Sequence, residues 1–159
     1  MGQRATTLAD RFEQANQEMI ATVDRCSDAQ WRVTTSGEQW SVAVVAHHVA
    51  EAHKYIAGLV HQIAAGQPLP PMTMDMIHQG NAEHAKQHAD TTKAETLGLL
   101  RGNAAAAAAA VRGLSDEQLD RAAPLLGGQP MSAQQVIENI LIGHVKGHLG
   151  SIQTATGGA

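Results

Sequence analysis

Apolar residues recur at intervals of three and four positions along most of the chain, which is the spacing of one buried face of an α-helix. In the first stretch the apolar positions are Leu8, Phe12, Ala15, Met19, Val23 and Cys26. Thr6 or Thr7 is predicted to cap this helix at its start, because a hydroxyl can accept a hydrogen bond from a free backbone N–H group. Capping-box patterns, which open a helix or a helical turn, occur at residues 27–30, 92–95, 115–118 and 132–135.

Four further stretches have a helical pattern. They begin near Ser41, Thr73, Thr92 and Ser132, and they end near Gly66, Asp90, Val111 and Thr154. The stretch from 73 to 90 is the weakest, because it is polar and contains Gly80, a poor helix former. No stretch shows the alternation of a strand. The pattern therefore predicts an all-α fold, a four-helix bundle with a short extra helical segment in the middle, as a single domain over residues 1–159.

The composition limits the kinds of protein this chain can be. Its 159 residues are enough for a core without disulfides, and the single cysteine, Cys26, has no partner in the chain. A net charge of −4 argues against a nucleic-acid or anionic-membrane partner, and no apolar run approaches the ~18 residues of a membrane span. The first residues lack the apolar core of a signal peptide, so we expect a cytoplasmic protein.

Histidine is the unusual residue, with nine copies against two Trp, one Tyr and one Phe. On the last predicted helix the apolar residues form one broad face, and His144 and His148 fall in the middle of it, one turn apart. Unsatisfied imidazole nitrogens on such a face cost roughly 1–3 kcal/mol each. Two imidazoles at positions i and i+4 point in the same direction, which suits a shared metal ion.

The second helix supplies a third candidate. His48 points to the same side as the apolar residues of that helix, whereas His47 lies nearly opposite and is predicted to be on the surface. Three inward histidines with an open coordination position would match a catalytic zinc or nickel site. A hydrogen-bonded histidine triad without metal stays an alternative. The H-E-x-x-H pattern of zinc proteases and the Glu-x-x-His pairs of di-iron bundles are both absent.

Residues 40–53 (WSVAVVAHHVAEAH) resemble the second-helix signature of the DinB-like (damage-inducible) family of four-helix metalloproteins. The doubled histidine, with a third one five residues later, particularly resembles the branch that includes bacillithiol and related thiol S-transferases. Residues 144–152 (HVKGHLGSI) are similar to the family's H-x3-H-x-G-Q-I ending, with Ser151 where glutamine is usual. The resemblance implies the ligands His48, His144 and His148, the same three that the helical phase selects.

The resemblance also implies a function. One divalent metal ion would bind a low-molecular-weight thiol cosubstrate, or water, and activate it for attack on a small electrophilic substrate. The alternative is a non-catalytic metal- or ligand-binding stress-response bundle, because no general acid or base is evident beyond the ligands.

Other residues are expected around this site. His53 lies at the edge of the apolar face, where it can hydrogen-bond across a groove. Glu51 would orient a ligand imidazole if it faced the site, but its position on the helix favours solvent. His78 or Asn81 of the weak middle segment would touch substrate if that segment covers the metal, whereas His84 and His88 of the same segment are expected to be solvated. The alanine run at 104–110 permits close helix contacts within the chain or in a homodimer.

Overall fold

The computed structural model describes residues 2–158, and within this range the chain forms eight α-helices, a π-helical segment and one short hairpin. The α-helices are α1 Gln3–Arg25, α2 Asp28–Trp31, α3 Val42–Ala64, α4 Met74–Gln87, α5 Lys93–Arg112, α6 Asp116–Asp120, α7 Ala133–Val136 and α8 Gly143–Ala155. The π-helical segment, Ile137–Ile142, joins α7 and α8 into one continuous last helix. The strands are β1 Ala122–Pro124 and β2 Pro130–Ser132.

Four long helices pack around one apolar core: α1, α3, α5 and the last helix. Each one buries the apolar face that its sequence pattern indicates, and this burial is the main source of stability in a bundle. The largest fully buried apolar side chains are Phe12, Met19, Ile63, Leu100, Leu119, Ile137, Leu141, Ile142 and Ile152. The predicted four-helix bundle is therefore confirmed, as is the extra helix in the middle, α4.

The starts of the helices follow the capping patterns in most places. Ser27, Ser115 and Ser132 form complete capping boxes, and Ser41 caps α3 by accepting a hydrogen bond from the backbone N–H of Val44. At Thr92 only half of the box forms. The side chain of Glu95 instead accepts a hydrogen bond from the Thr91 hydroxyl.

The predicted cap of the first helix was wrong. Helix α1 begins at Gln3, directly after Gly2, so Thr6 and Thr7 lie inside its first turns. Their hydroxyls donate to the carbonyls of Gly2 and Gln3, four residues earlier. A threonine inside a helix satisfies its hydroxyl in this way, which is why its presence near a helix start does not by itself locate the cap.

The hairpin was not predicted from the sequence. Ala122 pairs with Ser132, Ala123 with Met131 and Pro124 with Pro130 in antiparallel register. With three residues each, the strands are too short for apolar–polar alternation to be recognised. The hairpin loop contains two residues with positive φ, Leu126 and Gly127, and β2 leads directly into the last helix.

Helix α4 lies against α3 outside the four-helix core. None of its residues is fully buried, which agrees with its polar sequence. Its contact with α3 depends instead on half-buried side chains, among them His84. Within residues 2–158 there is no helix with the length and apolar character needed to cross a membrane.

Candidate metal centre

Three imidazoles from two helices meet at one side of the bundle. Helix α3 supplies His48, and α8 supplies His144 and His148, one turn apart on the same side of the helix. The Nε2 atom of His144 lies 2.9 Å from Nε2 of His48 and 3.2 Å from Nε2 of His148. All three side chains are half-buried, so the cluster is sheltered without being sealed. The structure thus brings together the three histidines predicted as ligands.

Burial keeps two of these imidazoles, His48 and His144, neutral at physiological pH. Desolvation, followed by the charge of the neighbouring His148 imidazole, lowers the pKa of His48 to about 4 and that of His144 to about 3. A neutral imidazole has a lone pair on one ring nitrogen, and that lone pair is what a metal ion binds. The neutral rings of His48 and His144 therefore have lone pairs available to bind a cation.

Glu38 fixes the orientation of His148. It lies in the loop between α2 and α3, its side chain is 11% exposed, and its Oε2 atom is 2.7 Å from Nδ1 of His148. Burial alone would raise the pKa of the Glu38 carboxyl, but the hydrogen bond and charge of His148 outweigh it, so the pKa is below its usual value. An ionised Glu38 accepts the Nδ1–H of His148, which leaves the lone pair on Nε2, facing the cluster.

Sequence reasoning missed Glu38. It stands in an irregular loop with no periodic pattern, and its distance from His148 along the chain is 110 residues. The nearby signal in the sequence was Trp40, which was expected to pack at the start of the second helix. In the structure Trp40 is partly buried against the core, and its ring contacts the His48 ring edge-to-face with centroids 5.4 Å apart. The fold of this loop brings Glu38 to the cluster, and only the tertiary structure shows it.

The donor set fits a divalent cation. If His148 carries its proton on Nδ1, then its Nε2 is an acceptor, and Nε2 of His144 faces two ring nitrogens at once. An N–H on His144 Nε2 can point at only one of them, so one of the two close nitrogen–nitrogen contacts is left without a well-formed hydrogen bond. A cation that binds all three Nε2 atoms removes this conflict, and three imidazoles are a ligand set that zinc and nickel accept.

Two predicted neighbours lie on α3. His53 is fully buried, and its Nε2 hydrogen-bonds across to Oδ1 of Asn16 on α1 at 2.7 Å, with the ring edge-to-face against Phe12. Burial lowers the pKa of His53 to about 4. Glu51 is half-buried, and its charge acts on His47, where it partly offsets the effect of burial.

The two predicted substrate contacts lie on α4. His78 is exposed and Asn81 is half-buried, and their expected role toward a substrate stays a prediction. The other two histidines of α4, His84 and His88, were expected to be solvated, and this was wrong: both are half-buried against α3.

The prediction that His47 lies on the surface was also wrong. Its side chain is 1% exposed, because α4 covers the outer side of α3. Nδ1 of His47 lies 2.8 Å from Nε2 of His84, and the rings of His47 and His88 stack with centroids 4.0 Å apart. Burial is the main reason that the pKa of His47 is lowered and that of His84 falls to about 4. Helical phase located the side of α3 that faces the core but could not show that α4 covers the other side.

Comparisons with known proteins place this architecture in a family. Residues 11–152 match the profile of the DinB superfamily, and no curated protein sequence matches the chain. YfiT from Bacillus subtilis, described as a probable metal-dependent hydrolase with an unusual four-helix bundle topology, has a similar fold with a TM-score of 0.78. It is 16% identical, over 98% of this chain and 87% of its own.

A mycothiol-dependent maleylpyruvate isomerase has a similar fold as well, with a TM-score of 0.74 and 13% identity. The match covers 96% of this chain but 63% of the isomerase, so the isomerase has a substantial part without a counterpart here. At these identities the likeness concerns the fold, which agrees with the profile match over most of the chain. The chain belongs to the DinB superfamily.

Proposed function

We propose that this protein is a metal-dependent enzyme that uses one divalent ion to activate a low-molecular-weight thiol, or water, for attack on a small electrophilic substrate. His48, His144 and His148 are the proposed ligands, and zinc or nickel the proposed ion. The observation that carries the proposal is the convergence of three Nε2 atoms, one of them on an imidazole held by a buried carboxylate. Two proteins of similar fold support it, one described as a probable metal-dependent hydrolase and the other a mycothiol-dependent isomerase.

The chain's own residues would prepare the site. A bound divalent ion would supply Lewis acidity, which lowers the pKa of a thiol or water molecule in the open coordination position. Glu38 accepts the Nδ1–H of His148, so that Nε2 keeps its lone pair and the ring is held in this orientation. The Trp40 ring against His48 limits the access of water to that ligand. Neutral ligands leave the full positive charge of the ion available to stabilise an anionic nucleophile.

The ligand assignment is tested by metal analysis of His148→Ala beside His78→Ala, an exposed histidine that serves as the matched control. We expect His148→Ala to lose the ion of this site and the control to keep it, as measured by elemental analysis of purified full-length protein. Thermal unfolding of both variants shows whether they fold. Full retention of metal by a folded His148→Ala protein would contradict the assignment.

Activity is tested separately by following thiol consumption. Bacillithiol, mycothiol and glutathione are each offered with a panel of electrophiles, and hydrolysis of activated esters tests water as the nucleophile. We expect turnover that depends on metal and is lost in His148→Ala. Metal binding without any turnover would favour the alternative of a non-catalytic binding bundle.

A further inference from the structure

A second cluster of histidines lies beside the first one. It consists of His47 on α3 and His84 and His88 on α4, and one ring nitrogen of each lies within 4.8 Å of those of the other two. We call these three residues the outer cluster. The two clusters have no residue in common. They are adjacent, since His47 and His48 are neighbours in the chain and the rings of His48 and His84 meet edge-to-face with centroids 5.7 Å apart.

The hydrogen bonds within the outer cluster leave ring nitrogens without partners. Nδ1 of His47 and Nε2 of His84 share one hydrogen bond, and the other nitrogen of His84, Nδ1, is buried and has no partner among the described residues. A buried imidazole nitrogen without a partner is costly, on the order of 1–3 kcal/mol. A cation could bind one ring nitrogen of each of the three residues, because these atoms all lie within 4.8 Å of one another.

The outer cluster lies where a bound ion would stabilise the contact between α3 and α4. Helix α4 has no fully buried residue, so it has little apolar area with which to hold itself against α3. His84 and His88 are one helical turn apart and both meet His47 across the α3–α4 contact. An ion bound there would join two helices that the hydrophobic effect joins only weakly.

We propose that His47, His84 and His88 form a second site for a divalent cation of borderline softness, such as zinc, cobalt or nickel. Imidazole is a preferred ligand of these ions, and three imidazoles leave room for solvent in the remaining positions. The ion would hold α4 against α3 beside the first metal site. This site does not depend on the proposed enzymatic function, because it uses different ligands.

The test counts zinc ions in the full-length protein after equilibration with excess zinc and removal of the unbound ion. We expect close to two zinc ions per chain in the wild type and close to one in His84→Ala and in His88→Ala. His78→Ala, on the same helix but outside the outer cluster, should keep two. His88→Ala is the gentler of the two variants, since its ring stacks on His47 without a hydrogen bond from its nitrogens to that ring.

The double variant His88→Ala/His148→Ala separates the two sites. If His148→Ala keeps one zinc ion and the double variant keeps none, the outer cluster binds its own ion whatever the first site does. One ion in the wild type, with the same content in His84→Ala and His88→Ala, would overturn the proposal. A wild-type content of one ion that is lost both in His88→Ala and in His148→Ala would also overturn it, because the α4 histidines would then belong to the first site.

Backbone hydrogen exchange supplies a second measurement. We expect added zinc to slow amide exchange in α4 of the wild type and of His148→Ala, and to leave it unchanged in His88→Ala. Equal protection of α4 with and without zinc would contradict the role of the ion in holding this helix.

Discussion

Single residues decide whether the first cluster can hold an ion. The three converging nitrogens come from His48, His144 and His148, but the tautomer of His148 is set by Glu38, a residue of the loop before α3. A ligand imidazole that can rotate, or that carries its proton on the wrong nitrogen, binds a metal less tightly. The second oxygen of Glu38, Oε1, is also buried and has no hydrogen-bond partner among the described residues.

Glu38→Ala is therefore expected to weaken metal binding by about 10- to 100-fold without changing the number of ions bound at saturation. The measurement is a competition titration against a chromophoric chelator. Glu18→Ala, which removes an exposed carboxylate on α1, is the control for the loss of one negative charge. An unchanged affinity in Glu38→Ala would show that the carboxylate does not support the ligand.

At the scale of elements, the π-helical segment determines which way the last helix points its histidines. The helix buries Ala133 and Val136 before the segment, Ile137, Leu141 and Ile142 within it, and Val145, Leu149 and Ile152 after it. A π turn holds one residue more than an α turn, so it shifts the buried face along the sequence. His144 and His148 consequently lie at the margin of the buried face, half-buried, rather than in its middle as an ideal helix predicts.

Deletion of Asn139, an exposed residue of the π-helical segment, tests this account. We expect the π turn to become an α turn while both flanking helices keep their faces, so that metal content stays within about twofold of the wild type. Deletion of Lys146, an exposed residue between the two ligands, is the contrast. It rotates His148 by about 100° relative to His144 and should abolish binding at this site.

Loss of metal in a folded Asn139 deletion would show that the π turn itself is needed for the ligand geometry. Far-ultraviolet circular dichroism and thermal unfolding establish whether each deletion variant is folded.

At the scale of the whole molecule, burial of several histidines makes the fold sensitive to acid. His53 is fully buried with a pKa of about 4, against an ordinary value of about 6.5 in the unfolded chain. Between these two pH values the His53 imidazole is protonated in the unfolded chain but not in the folded protein. The free energy of unfolding must therefore fall as the pH is lowered from about 6.5 to about 4, whereas above pH 7 this residue has no effect.

In His53→Gln, the fall in the free energy of unfolding between pH 6.5 and pH 4 is expected to be smaller by on the order of 3 kcal/mol, because glutamine does not titrate. Its amide can still donate a hydrogen bond to Asn16. Denaturant unfolding is measured between pH 7.5 and 4 with a chelator present, which removes the contribution of bound metal. His61→Gln replaces an exposed histidine on the same helix and should follow the wild-type curve. A slope in His53→Gln equal to that of the wild type would contradict the assignment of this proton to His53.

The local structure follows from the sequence alone. The helices, most of their caps and the apolar faces that meet in the core follow from interactions between residues a few positions apart, and the phase of α3 is enough to select His48. The cap of α1 and the short hairpin were missed, because each depends on only a few residues with weak preferences.

Which side chains from distant segments come together depends on the tertiary fold. Glu38 reaches His148 through the path of a loop, the π turn moves the ligand pair to the margin of the core, and α4 covers His47 with two histidines. Helical periodicity describes a single helix relative to its own axis. It does not show which element packs against the polar face of a helix. The contact of α4 with that face of α3 is the reason that His47, predicted to lie on the surface, is buried.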